Sequence, residues 1–139
     1  DPVAAIVDHV VQLHASSHPG RVQARSAPPD ERALDPDLLG RALLNLVKNA
    51  LESAPSSSVW IEAEVSPDEV LFIVEDDGPG IAPEVSDRLF EPYVTDKPTG
   101  SGLGLAIVER VALAHGGEVS VRSVPGQTVF SLRIPAVGA

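Results

Sequence analysis

Three groups of residues in this sequence have types and spacing that could do chemistry: Asn45 and Asn49, the turn Asp76-Asp77-Gly78-Pro79-Gly80, and Thr99-Gly100-Ser101-Gly102-Leu103-Gly104-Leu105. Glycines ahead of a helix leave backbone N–H groups free to hold phosphate, so the third group could cradle an anion. A flexible loop capped onto a helix has the same composition, and only the other two groups favour a nucleotide. A neutral amide oxygen ligates a hard cation such as Mg²⁺ without adding charge beside a triphosphate, a role that suits Asn49 and, after it, Asn45. The competing reading is surface filler. It is disfavoured because asparagine costs a helix about a few tenths of a kcal/mol per residue.

Asp76 shares parity with Phe72 and Val74 and should face the same layer as they do. A half-buried carboxylate at that point needs a donor. The exocyclic amino group of adenine could supply one, with Gly78 and Gly80 letting the ring approach the backbone closely. The alternative is an aspartate bonded to its own turn, and Asp77 is the natural holder of that role.

The elements that must position these residues can be read from periodicity. Val3, Ile6, Val7, Val10, Val11 and Leu13 recur at helical spacing and stop near His18-Pro19-Gly20. A short strand is expected at 22–26, followed by a proline-rich loop. Asp35-Pro36-Asp37 then opens a second helix over 38–53. At about 100° per residue, Asn45 and Asn49 lie roughly 40° apart, on a face centred roughly 140° from the stripe of Leu39, Leu43, Leu46, Val47 and Ala50. The alternating run 59–65 predicts a strand with one wet face. Residues 70–74 are apolar throughout and predict a central strand covered on both faces, joined to its neighbour by a hairpin at 66–69. A brief helix is expected at 83–90 and a longer one at 102–115 ended by Gly116-Gly117. Two more strands carry Val119/Val121 and Thr128/Phe130/Leu132/Ile134, with Pro125-Gly126 turning between them. The fold class is therefore α+β: a two-layer sandwich with a mixed, mostly antiparallel sheet covered on one face by helices.

Composition narrows the function. The 139 residues are 43% hydrophobic, enough for one domain with one core. Twenty acidic against ten basic residues give a net charge of −10, so no nucleic acid or anionic membrane surface is expected to bind, and any phosphate site must be local. With no cysteine, disulfides and thiolate metal sites are excluded. No apolar run is long enough for a bilayer, and a cytoplasmic location is expected, whether or not a parent protein is membrane-anchored. The absence of methionine suggests a fragment of a longer protein.

In order along the chain, Asn45-x-x-x-Asn49, Asp76-x-Gly78-x-Gly80, Phe90-x-Pro92-Tyr93 and Gly100-x-Gly102-Leu103-Gly104-Leu105 resemble the asparagine, first glycine, phenylalanine and second glycine boxes of bacterial sensor histidine kinases. The likeness is to their catalytic and ATP-binding domain and covers nearly the whole chain. Asn45-Leu46-Val47-Lys48-Asn49-Ala50 and Asp96-Lys97-Pro98 look most like the nitrogen-regulation type. The resemblance implies the Bergerat ATP-binding fold, shared with gyrase, Hsp90 and the mismatch-repair protein MutL, with a mobile lid at about residues 81–101. It further implies that Asn49 coordinates Mg²⁺, that Asn45 assists at the triphosphate, and that Asp76 accepts from the adenine amino group. Gly78 and Gly80 would make room for the base. Gly100, Ser101, Gly102, Leu103, Gly104 and Leu105 would form the phosphate loop, with the N–H groups from Gly102 to Leu105 receiving the phosphates. Phe90 and Tyr93 would anchor the lid, Lys97 would reach the γ-phosphate, and Thr128 would support water at the adenine.

Two positions depart from the family pattern. Glu52 stands where many relatives carry a basic residue, and Gly126-Gln127-Thr128 replaces a third run richer in glycine. ATP-hydrolysing relatives place a glutamate one turn before the magnesium asparagine as general base, whereas here that position is Asn45. An amide is no base at neutral pH, but a histidine acceptor brings its own lone pair. The expected function is thus transfer of the γ-phosphoryl of Mg-ATP to a histidine on a partner dimerisation domain, with a response regulator downstream. None of His9, His14, His18 or His115 begins a phosphoacceptor motif, so the acceptor must lie elsewhere, and the isolated domain is expected to be a monomer. A hydrolytic or serine-kinase relative and a catalytically silent nucleotide-binding module are the alternatives.

Overall fold

A computed structural model of the chain describes residues 2–13, 22–26, 36–53, 58–78 and 104–135. Its elements are α1 (Pro2–Leu13), β1 (Val22–Ser26), α2 (Pro36–Ser53), β2 (Val59–Val65), β3 (Glu69–Asp76), α3 (Gly104–Ala114), β4 (Glu118–Val124) and β5 (Gln127–Pro135). The expected helix at 83–90 lies outside the described residues.

Period-two patterning builds one five-stranded sheet in the order β1-β2-β3-β5-β4, in which β1 runs parallel to β2 and all other pairs are antiparallel. Odd positions of β2 (Val59, Ile61, Ala63) and even positions of β3 and β5 (Val70, Phe72, Val74; Phe130, Leu132, Ile134) are buried on one face. Each of these side chains larger than Ala63 contributes about 1.5–3 kcal/mol by leaving water. The helices cover that face in order: α1 touches β1 and β2, α2 touches β2 and β3, and α3 touches β4 and β5. Leu39, Ala42, Leu43, Leu46, Val47 and Ala50 of α2, Ile6, Val7 and Val10 of α1, and Leu105, Val108, Val111 and Ala112 of α3 complete the core. Among the described residues no helix is long and apolar enough to cross a membrane.

β3 is central, but among the described residues only one of its faces is covered. Leu71 and Ile73 are half-buried, not enclosed, and their cross-strand partners are polar: Glu64 and Arg133 beside Leu71, Glu62 and Ser131 beside Ile73. A continuous apolar run reports that a strand has neighbours on both sides. It does not report that a second layer lies on it.

Pro36 opens α2, where the missing N–H of proline costs nothing, and Asp37 in the first turn complements the helix dipole. α3 closes by bonds from Gly116 N to Leu113 O (3.0 Å) and from Gly117 N to Ala112 O (2.8 Å), with Gly116 at φ 72°. The His115 ring meets Val111 O through Nδ1 at 2.9 Å, adding a donor at the carbonyl end of the helix.

Candidate nucleotide-binding site

The polar groups of the site come from strand ends. Register places Asp76 of β3 opposite Thr128 of β5, and Thr128 opposite Ser123 of β4. Directly paired residues share a face, so these three side chains form one row on the helix-covered side, with Val59 of β2 beyond Asp76. One row deeper along the strands, Ile61, Val74, Phe130 and Val121 are all apolar. Asp76 is 2% exposed and Thr128 3%, and among the described residues they are the polar side chains buried in the core. The row is a polar rim on an otherwise apolar layer, and a buried carboxylate must be met by donors.

Part of that requirement is met by the chain itself. The N–H of Gly78 donates to Asp76 Oδ1 at 2.9 Å, and Ser123 Oγ and Thr128 Oγ1 share a hydrogen bond of 2.9 Å. Two expectations are corrected here. Asp76 is fully buried, not half-buried, and it is Asp76, not Asp77, that bonds to its own turn. Asp77 instead accepts from Ser58 N at 2.7 Å through Oδ1, and its own N–H donates to Ser58 O at 3.4 Å. The reason is parity: Asp76 keeps the core-facing direction of Phe72 and Val74, while Asp77, one residue past the strand, is exposed beside the start of β2. A carboxylate offers about four acceptor positions, more than the Gly78 bond alone takes up. Gly126 N donates to Gly78 O at 3.0 Å, tying the β4–β5 turn, where Gly126 sits at φ 89°, to the segment after Asp76.

Asn45 and Asn49 are half-buried on α2, on the side away from its fully buried stripe, as helix spacing predicts. Asn45 Nδ2 donates to Arg41 O at 3.1 Å. That bond uses the amide nitrogen and not Oδ1, the atom a hard cation takes. α2 packs against both β3, which ends at Asp76, and α3, which begins at Gly104. Gly78 is buried, and Leu105 is 7% exposed and belongs to the core. Gly80, Phe90, Tyr93, Lys97, Gly100, Ser101, Gly102 and Leu103 lie outside the described residues. So does the side chain of Glu52.

Ser58 and Ser123 were not singled out by sequence reasoning. Ser123 shares parity with Val119 and Val121, which was the available signal that it faces the covered side. Nothing in the sequence marks Ser58, whose contribution comes from its backbone.

Residues 34–138 match the family described as histidine kinase-, DNA gyrase B- and HSP90-like ATPase, and the chain belongs to that family. It is 41% identical over 106 residues to the sensor histidine kinase ZraS of Salmonella typhi, covering 74% of this chain and 23% of that protein. To the sensory histidine kinase/phosphatase NtrB of Rhodobacter capsulatus it is 36% identical over 116 residues, covering 73% and 32%. The nucleotide-free catalytic domain of the histidine kinase ThkA is similar at TM-score 0.86 and 25% identity, covering 98% of this chain and 93% of that one. For the mycobacterial sensor histidine kinase MprB the values are 0.78 and 29%, covering 95% and 94%. The chain thus spans about a quarter to a third of these curated relatives and nearly all of the catalytic-domain structures. Fold class and family agree with the two-layer, mostly antiparallel sandwich expected from the sequence.

Proposed function

We propose that this chain is the catalytic, ATP-binding part of a sensor histidine kinase and transfers the γ-phosphoryl group of Mg-ATP to a histidine on a dimerisation domain of the same protein, with a response regulator as the next acceptor. The observation that carries the reading is Asp76, a carboxylate 2% exposed at the carboxyl end of the central strand, in a chain belonging to an ATPase family. In this reading it accepts from the adenine amino group, with Thr128 beside it and Gly78 and Gly80 allowing the ring close to the backbone. The N–H groups from Gly102 to Leu105, at the opening of α3, take the phosphates, within a loop that includes Gly100 and Ser101. Lys97 approaches the γ-phosphate.

The residues on α2 suit Mg²⁺. Asn49, with Asn45 one turn before it, offers neutral hard oxygens on a half-buried face, in a chain already at −10. A bound Mg²⁺ neutralises charge on the β- and γ-phosphates. Asn45 offers no base for water, which favours an acceptor with its own lone pair over hydrolysis. A histidine ring nitrogen then forms the new N–P bond as the bond to the β–γ bridging oxygen breaks, and ADP leaves with that electron pair.

Mixing the chain with Mg-ATP and the histidine-bearing domain tests the reading. Acid-labile, base-stable phosphate on that domain is the expected result. Steady phosphate release without the partner would replace this reading with a hydrolytic one, and tight binding with neither product would leave a silent nucleotide module.

A further inference from the structure

Gly78 follows the carboxylate that ends β3, and both of its backbone polar groups are held. Its N–H donates to Asp76 Oδ1 at 2.9 Å, and its carbonyl accepts from the N–H of Gly126 at 3.0 Å. Both directions are fixed, because a backbone N–H only donates and a carbonyl only accepts. Gly78 is buried, where an unmet carbonyl is costly, and among the described residues its donor is Gly126, in the turn between β4 and β5.

That turn is not the one its strands would choose. Val124 pairs with Gln127, so Pro125 and Gly126 are the two central residues of a hairpin. Two-residue hairpins favour turns with positive φ at the first central residue, which proline, fixed at about −65°, does not adopt. With Gly126 at φ 89° the turn is of type II, a form that splays paired strands. Space does not account for the glycine, since a Cβ at 126 would meet nothing among the described residues within 4 Å. Direction does: relative to the type I turn that an L residue at 126 favours, the middle peptide is turned over, and that peptide carries the Gly126 N–H. A local preference is given up, and one donor is aimed at the end of β3.

We infer that Gly126 is a positioning residue for the base: through the Gly78 carbonyl it fixes the residue whose N–H orients Asp76 and whose missing side chain leaves room for the ring. This rests on the ATP-site reading above and extends it to a turn that acts through Gly78. The other role for such a bond is to fasten the hairpin to β3, which would change stability and leave nucleotide affinity alone. Linkage separates the two, because a bond that favours ATP binding is itself favoured by bound ATP, to the same degree.

Two measurements on the 139-residue chain test this. The first is amide hydrogen exchange of the wild type with and without saturating Mg-ATP. ATP is expected to slow the Gly126 amide by about three- to tenfold more than the Ser66 amide, whose bond to Glu69 O (2.9 Å) lies in the turn at the opposite end of β3. The second is calorimetry with ATP in excess Mg²⁺, well below the melting temperature. Gly126→Ala should weaken ATP by about three- to tenfold, the range for one lost hydrogen bond. Gly126→Asn, which keeps the N–H and tolerates positive φ, should recover most of the wild-type affinity. Equal slowing at Gly126 and Ser66 overturns the inference without recourse to any variant. So does unchanged ATP affinity in folded Gly126→Ala, or an asparagine variant as weak as the alanine one. Wild-type chain that binds no ATP overturns the ATP-site reading itself, and this inference with it.

Discussion

The N–H of Gly78 donates to Asp76 Oδ1 at 2.9 Å, so the buried carboxylate that ends β3 is oriented by the residue two places after it. A side chain fixed in this way is presented to a ligand at little further entropic cost. Asp76→Asn keeps an oxygen for the Gly78 bond but loses the charge and half the accepting capacity. We expect a melting temperature near wild type and ATP affinity weakened by about tenfold or more, the range for a hydrogen bond to a charged group. Unchanged affinity by calorimetry would remove Asp76 from the adenine site.

Asn49→Ala separates metal from base. The buried stripe of α2 is untouched and alanine is the better helix former, so the fold should hold. ATP binding in Mg²⁺ should weaken, by about tenfold, while binding in excess chelator should change little. A Mg²⁺ titration indistinguishable from wild type would count against Asn49 as the ligand.

How far the sequence alone reached is clearest in the strands. Alternation, broken only by Trp60 and Val129, delimited β2 and β5, because the covered face demands an apolar residue at nearly every second position. It could not say which of two adjacent aspartates turns back on the chain, since Asp76 and Asp77 differ only in parity relative to a helical layer not yet placed. Leu71 and Ile73 misled for a related reason: residue type does not reveal that their cross-strand neighbours are charged or polar. The row completed by Ser123 depends on register across three strands, which period-two patterning leaves open by an even number of residues. The asparagine pair and the glycine boxes were legible as an ordered set, and their assigned roles await the variants described here.

Two glycines should respond oppositely to alanine. A Cβ on Gly117 would collide with the Arg133 carbonyl oxygen and stand 3.2 Å from Pro135 Cδ, so β4 would have to move off β5. Gly117→Ala is expected to destabilise by about 2 kcal/mol or more. Gly40, within α2, has nothing among the described residues within 4 Å of such a Cβ, and Gly40→Ala should stabilise by about 0.5–1 kcal/mol through helix propensity. Urea unfolding of both variants checks the pair, and equal shifts would contradict the packing described at the end of α3.

The claim beneath all of these is that the polar row at the end of β3 and the amide face of α2 hold one adenine nucleotide. Calorimetric titration of the chain with ATP in excess Mg²⁺, at two temperatures so that an accidental zero enthalpy cannot hide binding, tests it most directly. Saturable heat at one nucleotide per chain, lost when GTP replaces ATP at equal concentration, is the expected result. No heat at either temperature with ATP or ADP would contradict it.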